Sequence, residues 1–193
     1  MIQQHRLDTY YFVTKIKEHQ QNKDAILSAI QEMPDVKLDR SSESIQKTDF
    51  ILTSDYHRKY LDIFYSMIEP YMVEMSKMLW CEQWVIQNAW FQQYENGGTH
   101  GWHTHPNTQF TNVYFLECPE SSMITELCDV LQRKKIDLVA IEEGDILTFP
   151  AFMLHKSKKL DSLNRKTIIS FNSSFWQNND SDTERLVRGI NYD

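Results

Sequence analysis

The hydrophobic period of this chain changes once, and that change limits the folds open to it. From Ser54 to Leu79 the apolar residues Leu61, Phe64, Ile68, Met72, Met75 and Leu79 recur every three or four positions, which is one stripe of a long amphipathic helix. From Trp84 to Tyr94, and again from Phe110 to Leu116, aromatic and β-branched residues alternate with polar ones, the pattern of strands. Earlier, Tyr10 to Lys17 reads as a strand and Asn22 to Met33 as a helix, with Ile26, Ile30 and Met33 on one face and Asn22 as N-cap. Pro70 should kink or split the long helix. Its methionines could line a partner groove, but a stripe facing the core is the better reading.

After the second strand, Ser121 to Lys135 is ambiguous: Leu127 and Leu131 suit a helix, and Met123 to Leu127 also passes as a short strand. Further short segments follow at Ile136 to Ile141, Ile146 to Phe149 and Thr167 to Phe175, with a turn at Glu143-Gly144-Asp145. Helices followed by short strands predict an antiparallel sandwich or barrel with helical packing on one face. The expected division is helical support with an amino-terminal strand over residues 1–80, a β core over 81–176 and a tail over 177–193, in a single domain of ordinary size.

Composition excludes several classes. With 41% apolar and 24% charged residues the chain is not of the disordered type. A net charge of −7 argues against a broad, sequence-independent grip on duplex nucleic acid. No apolar run reaches the length of a membrane span, and Met1 to Asp8 is polar where a signal peptide is hydrophobic, so the expectation is a soluble, cytoplasmic protein. Cys81, Cys118 and Cys128 are odd in number and lack C-x-x-C spacing, which points to reduced thiols rather than disulfides or a cysteine zinc site.

The chemistry concentrates at Thr99-His100-Gly101-Trp102-His103-Thr104-His105-Pro106-Asn107. On a strand, residues i and i+2 share a face, so His103 and His105 could offer two imidazoles to one ion. A catalytic metal site typically needs a third protein ligand, and His155, beyond the Gly144-Asp145 turn and the segment through Pro150, is the natural source. Arg165 at a strand start, with Thr167 on the same face, could clamp a carboxylate through a fork and one hydrogen bond; a solvated arginine is the plain alternative.

These features occur in a fixed order: His-x-His-Pro-Asn, a Val-Tyr-Phe-Leu strand, Glu-Gly-Asp-x-x-x-Phe-Pro-x-x-x-x-His, and Arg-x-Thr-x-x-x-Phe-Asn. The ordered set, spanning Trp84 to Phe175, resembles the 2-oxoglutarate- and iron(II)-dependent oxygenases of the small prolyl-hydroxylase-like group. The resemblance implies a mainly β fold with α, a double-stranded β-helix (jelly-roll) core flanked by amino-terminal helices. It implies iron(II) held by His103, His105 and His155, and 2-oxoglutarate held by Arg165 and Thr167, with Tyr94 or Tyr114 touching the cosubstrate. Trp102 and Asn107 would line the substrate mouth, and His100 would lie behind the ligands or at the surface. The common pattern in that superfamily carries a carboxylate where this chain has His105, so the metal centre here would be more positive.

The implied reaction is dioxygen-dependent hydroxylation of an unidentified peptide side chain or small molecule, with 2-oxoglutarate decarboxylated to succinate. Two other readings stay open. One is a three-histidine metal dioxygenase of cupin type, which would not need Arg165; the other is a non-catalytic barrel that keeps a metal.

Overall fold

The structure, a computed structural model, describes residues 9–53 and 55–177, so Met1 to Asp8 and the expected tail beyond Gln177 lie outside the described residues. In chain order the elements are β1 (Phe12–Lys15), α1 (His19–Gln31), β2 (Leu38–Arg40), β3 (Glu43–Ile45), β4 (Lys47–Thr48), α2 (Lys59–Met78), β5 (Gln83–Tyr94), β6 (Thr99–His103), β7 (Phe110–Glu117), a 3-10 turn at Ser121–Met123, β8 (Glu126–Asp129), β9 (Lys134–Lys135), β10 (Asp145–Pro150), β11 (Leu154–Ser157) and β12 (Lys166–Trp176). They form two six-stranded antiparallel sheets, β1-β10-β7-β12-β5-β4 and β2-β3-β6-β11-β8-β9. This is the jelly-roll core with helical support on one face.

Two cores follow from strand alternation. On β7 and β12, Tyr114, Leu116, Ile169 and Phe171 face the helices, where they pack with Ile26, Phe64, Ile68 and Met72. Their neighbours Val113, Phe115 and Ile168 turn into the space between the sheets, beside Tyr94, Leu127, Leu147 and Phe149. The central strands of the first sheet are therefore buried on both faces. The methionine stripe belongs to the first core, with Met67, Met72 and Met75 buried.

Several local expectations are corrected. Helix α1 starts at His19, and Asn22 lies inside it, where its side-chain amide donates to the Glu18 carbonyl at 3.0 Å instead of capping. Pro70 does not split α2, which runs through it as one helix. The proline sits on the exposed side, as does Ser66, whose carbonyl loses its partner to the ring but stays open to water. Residues 136–141 are not a strand; β9 is only Lys134–Lys135, and the segment read as Met123 to Leu127 splits into the 3-10 turn and β8. Among the described residues no helix is long and apolar enough to cross a membrane.

The turn before β10 depends on Gly144, whose φ of +87° is strained for any other residue and whose missing Cβ leaves room for the His19 ring. His19 in turn bonds the Tyr114 hydroxyl through Nδ1 at 2.6 Å, tying α1 to β7.

The segment after β4 is held by Asp49, a fully buried carboxylate that accepts from Arg58 Nε at 2.7 Å, the Tyr60 hydroxyl at 2.7 Å and the Phe91 backbone N–H at 2.9 Å. It fixes the segment that carries Phe50 to the rim of a wide cavity, described below. Removing this acceptor strands three donors, so Asp49→Ala should lower the unfolding free energy by about 3–5 kcal/mol in a urea titration.

Candidate metal centre and adjoining spaces

Backbone pairing brings the three histidines together. His155 on β11 stands directly opposite His103 on β6. His105 lies two residues on, just past the end of β6, so it is not a strand residue as its spacing had suggested. Its position comes instead from its own N–H donating to the Ala151 carbonyl at 3.0 Å, which docks the 104–109 loop on the turn between β10 and β11. One ring nitrogen from each histidine falls within 4.8 Å of the others. The closest ring centroids, His103 and His155, are 4.1 Å apart. Nearby, the Trp90 ring lies 5.7 Å from His105, and Phe149 stands edge-on to His155 at 4.7 Å.

Hydrogen bonds set the tautomers. Nδ1–H of His103 donates to the Gly101 carbonyl at 2.8 Å, that of His105 to Asn172 Oδ1 at 2.6 Å and that of His155 to the Met153 carbonyl at 3.0 Å. Each neutral ring is left with its Nε2 lone pair free, as a metal requires. His100 has the opposite arrangement. It stacks on His103 at 3.9 Å between centroids, but its Nδ1 accepts from the Gln92 amide at 3.4 Å, and its Nε2 side faces Glu43 Oε1 at 3.4 Å. Burial lowers the basicity of all four rings, pushing His155 down to about 2 and His100 to about 3 with help from their histidine neighbours. All four are uncharged at neutral pH.

Two spaces adjoin the cluster. A cavity of about 550 Å³ opens on His103 and His105, walled by Trp90, Phe50, Leu38 and Ile45 together with Asn88, Asn107 and Asn172. On the inner side a narrow space of about 20 Å³ is bounded by all four histidines, Tyr94, Ser157, Ile168 and Ser170. Beside Tyr94 and Ser157 is Lys166, 2% exposed, its ammonium donating to Ser157 Oγ at 2.9 Å and lying 5.2 Å from the Tyr94 ring centroid. Among the described residues no carboxylate pairs with it. Burial lowers its pKa to about 8. The Tyr94 hydroxyl is buried and makes no well-formed hydrogen bond, with Ser157 beside it. A buried cation next to a buried, poorly satisfied phenol forms a setting suited to an anion.

Comparison by sequence finds no matching family model and no similar curated protein. Comparison by structure does find relatives. An oxidoreductase of the 2OG-Fe(II) oxygenase family from Burkholderia pseudomallei superposes with a TM-score of 0.68 at 11% identity, over 85% of each chain. The viral collagen prolyl hydroxylase of Paramecium Bursaria Chlorella virus-1, solved with 2OG, gives 0.59 at 13%, covering 86% of this chain and 96% of its own. The alpha ketoglutarate dependent epimerase SnoN from nogalamycin biosynthesis gives 0.65 at 11%, covering 85% and 77%. The chain has the fold of the 2OG-Fe(II) oxygenases.

Within that oxygenase fold the residues singled out from sequence divide. His103, His105 and His155 converge. Tyr94 faces the inner space, whereas Tyr114 is buried in the helix-facing core with its hydroxyl on His19. Arg165 and Thr167 are on the wrong face of β12 for the chamber. The Arg165 guanidinium forks onto Glu117 with two 2.9 Å bonds, and the Thr167 hydroxyl bonds Glu117 and Gln93. Period two then sends Lys166, Ile168, Ser170 and Asn172 inward, so the buried cation behind Tyr94 and Ser157 is Lys166, one residue from the one expected. Asn107 lines the wide cavity; Trp102 does not, and the Lys156 ammonium lies 4.6 Å above its exposed ring. Lys166, Asn172 and Trp90 were missed. The lone lysine in the run Lys166-Thr167-Ile168-Ile169-Ser170-Phe171 was the available signal, because a charge in a doubly buried strand needs a reason.

The tautomer pattern separates the trio from its stacked neighbour. Metal analysis after dialysis against iron(II) or cobalt(II) should give about one ion per chain in the parent and a clear loss in His103→Ala, His105→Ala and His155→Ala. His100→Ala should retain the ion. Full retention in His105→Ala would remove that residue from the ligand set.

Proposed function

We propose that this chain is a 2-oxoglutarate- and iron(II)-dependent oxygenase acting on a substrate held in the 550 Å³ cavity. The observation that carries the reading is Lys166, a buried ammonium with no acid partner among the described residues, set beyond three histidines whose ring nitrogens lie within 4.8 Å of one another. The donor set fits the cofactors: three neutral imidazoles for a divalent ion, and the Lys166 ammonium, Tyr94 hydroxyl and Ser157 hydroxyl for the far carboxylate of a dicarboxylate. Neither the cupin-type reading nor the non-catalytic barrel has a use for such a cation.

Bound iron and 2-oxoglutarate supply the dioxygen-activating chemistry, in which the cosubstrate is converted to succinate as the substrate is oxidised. The residues of this chain do the rest. His103, His105 and His155, as three protein ligands, leave positions open for cosubstrate and oxygen. Lys166 orients the dicarboxylate through charge, and its burial keeps water from weakening that contact. The inner space, about 20 Å³, holds little more than one water, so chamber side chains must move apart to admit the cosubstrate. Trp90 and Phe50 shelter the opposite side of the centre, and Asn88 and Asn107 offer amide contacts to whatever the cavity takes. Hydroxylation is the outcome we propose for a C–H bond presented there.

Succinate release in the presence of iron(II), 2-oxoglutarate and oxygen tests the activity; its absence, together with unchanged 2-oxoglutarate affinity in Lys166→Met, would overturn the reading. Lys166→Met should weaken 2-oxoglutarate binding roughly ten- to hundredfold, the worth of a charge-assisted bond, with metal content intact. Arg165→Ala should stay within about twofold of the parent, because its partner is Glu117.

The pH dependence has a definite sign. The Lys166 pKa is depressed to about 8, so the free chain loses this proton as pH rises through that value, while the bound dicarboxylate favours the ammonium. Affinity for 2-oxoglutarate should thus be flat below about pH 7 and fall as pH passes 8, with proton uptake on binding seen by calorimetry in buffers of different ionisation enthalpy.

A further inference from the structure

We propose that Asn172 is a positioning residue whose task is to make an imidazole usable as the third metal ligand at His105, a point that rests on the metal reading above. The two other ligands have their Nδ1–H groups held by backbone carbonyls, Gly101 for His103 and Met153 for His155, and no substitution of a side chain removes those acceptors. His105 alone depends on a side chain: its Nδ1–H meets Asn172 Oδ1 at 2.6 Å, the shortest of the three bonds.

The need arises from chemistry that a carboxylate does not share. A carboxylate offers equivalent oxygens and has no tautomer to choose. An imidazole ligates only if the proton sits on the nitrogen turned away from the ion, and an acceptor at that nitrogen decides it. His105 also lacks the strand pairing that orients His103 and His155, since β6 ends at His103. Its ring is held on one side by Trp90 and by the Asn172 contact through Nδ1. Asn172 reaches it from β12, on the same inward face as Lys166, so one strand positions both the ligand and the cation of the chamber. The residue is largely buried, at 7% exposure, with one side walling the wide cavity.

The test is a double-mutant cycle read by cobalt(II) affinity and by the visible absorption spectrum of the bound cobalt, neither of which requires turnover. In the His105 parent, Asn172→Ala should weaken cobalt binding about tenfold to a hundredfold and change the spectrum, while Asn172→Asp, which can only accept, should restore both. In the His105→Asp background the same Asn172→Ala change should cost less than about threefold. Equal losses in the two backgrounds would overturn the proposal, because they would mark Asn172 as a general structural residue. So would parent-like affinity in Asn172→Ala, or loss of cobalt in Asn172→Asp, which would mean that the amide donates to Nδ1 rather than accepting from it. A parent that binds no cobalt would instead bring down the metal reading itself and the proposal with it, so the two failures are distinguishable.

Discussion

The site depends on one strand that is buried on both faces. β12 lies between β7 and β5 in the first sheet, and its odd and even residues serve different purposes. Ile169 and Phe171 fill the core beneath α1 and α2, and Thr167 and Arg165 continue that face outward to Glu117. Lys166, Ile168, Ser170 and Asn172 point into the barrel, where they meet Tyr94, the narrow chamber and His105. The pleat couples the two sets, because a register slip of one residue would send Lys166 to the helices and Thr167 to the metal centre. The helix core therefore does more than supply stability: by burying Ile169 and Phe171 it fixes the register that delivers the cation and the amide.

That double burial also explains what could be read in the sequence and what could not. The helical stripe of α2 was legible because one of its faces meets solvent, so period and burial agree. The convergence of the three histidines was legible because their residue type is scarce; strand pairing sets His103 against His155, and the loop bond to Ala151 brings in His105. The parity of β12 was not legible. When both faces are apolar, alternation carries no sign, and Arg165 with Thr167 looks as good as Lys166 with Ile168. The same ambiguity left Tyr94 and Tyr114 equivalent until the sheet showed one facing the chamber and the other facing His19. Asn22 misled, and Pro70 does not split α2, for a more local reason: capping and breaking preferences are worth about 1–3 kcal/mol, and tertiary packing of His19 and of the α2 stripe outweighs them.

A histidine at position 105 in place of a carboxylate changes the electrostatics of the interior. Among the described residues, the narrow inner space has imidazoles, hydroxyls, an amide and Lys156 but no carboxylate on its walls, Lys156 is paired with Glu126, and Lys166 beside the space adds an unpaired positive charge. Glu43 faces His100 Nε2 at 3.4 Å. With an ion held by the three histidines, as proposed, such an interior would attract a dianion from two ends, the ion and the ammonium.

Lys166 is costly in the absence of that dianion. Its pKa falls from 10.5 to about 8, and at neutral pH the difference amounts to about 3 kcal/mol of folding free energy spent on keeping the charged form buried. The unfolded chain binds more protons than the folded one between about pH 8 and 10.5, so this cost is present in full below that window and is relieved as pH rises through it. A methionine of similar length would pack against Ile168 and Tyr94 without the cost. Retaining an ammonium where an apolar side chain would be more stable is the pattern expected of a group kept for a ligand rather than for the fold, because the ligand's carboxylate repays the desolvation only when it is bound.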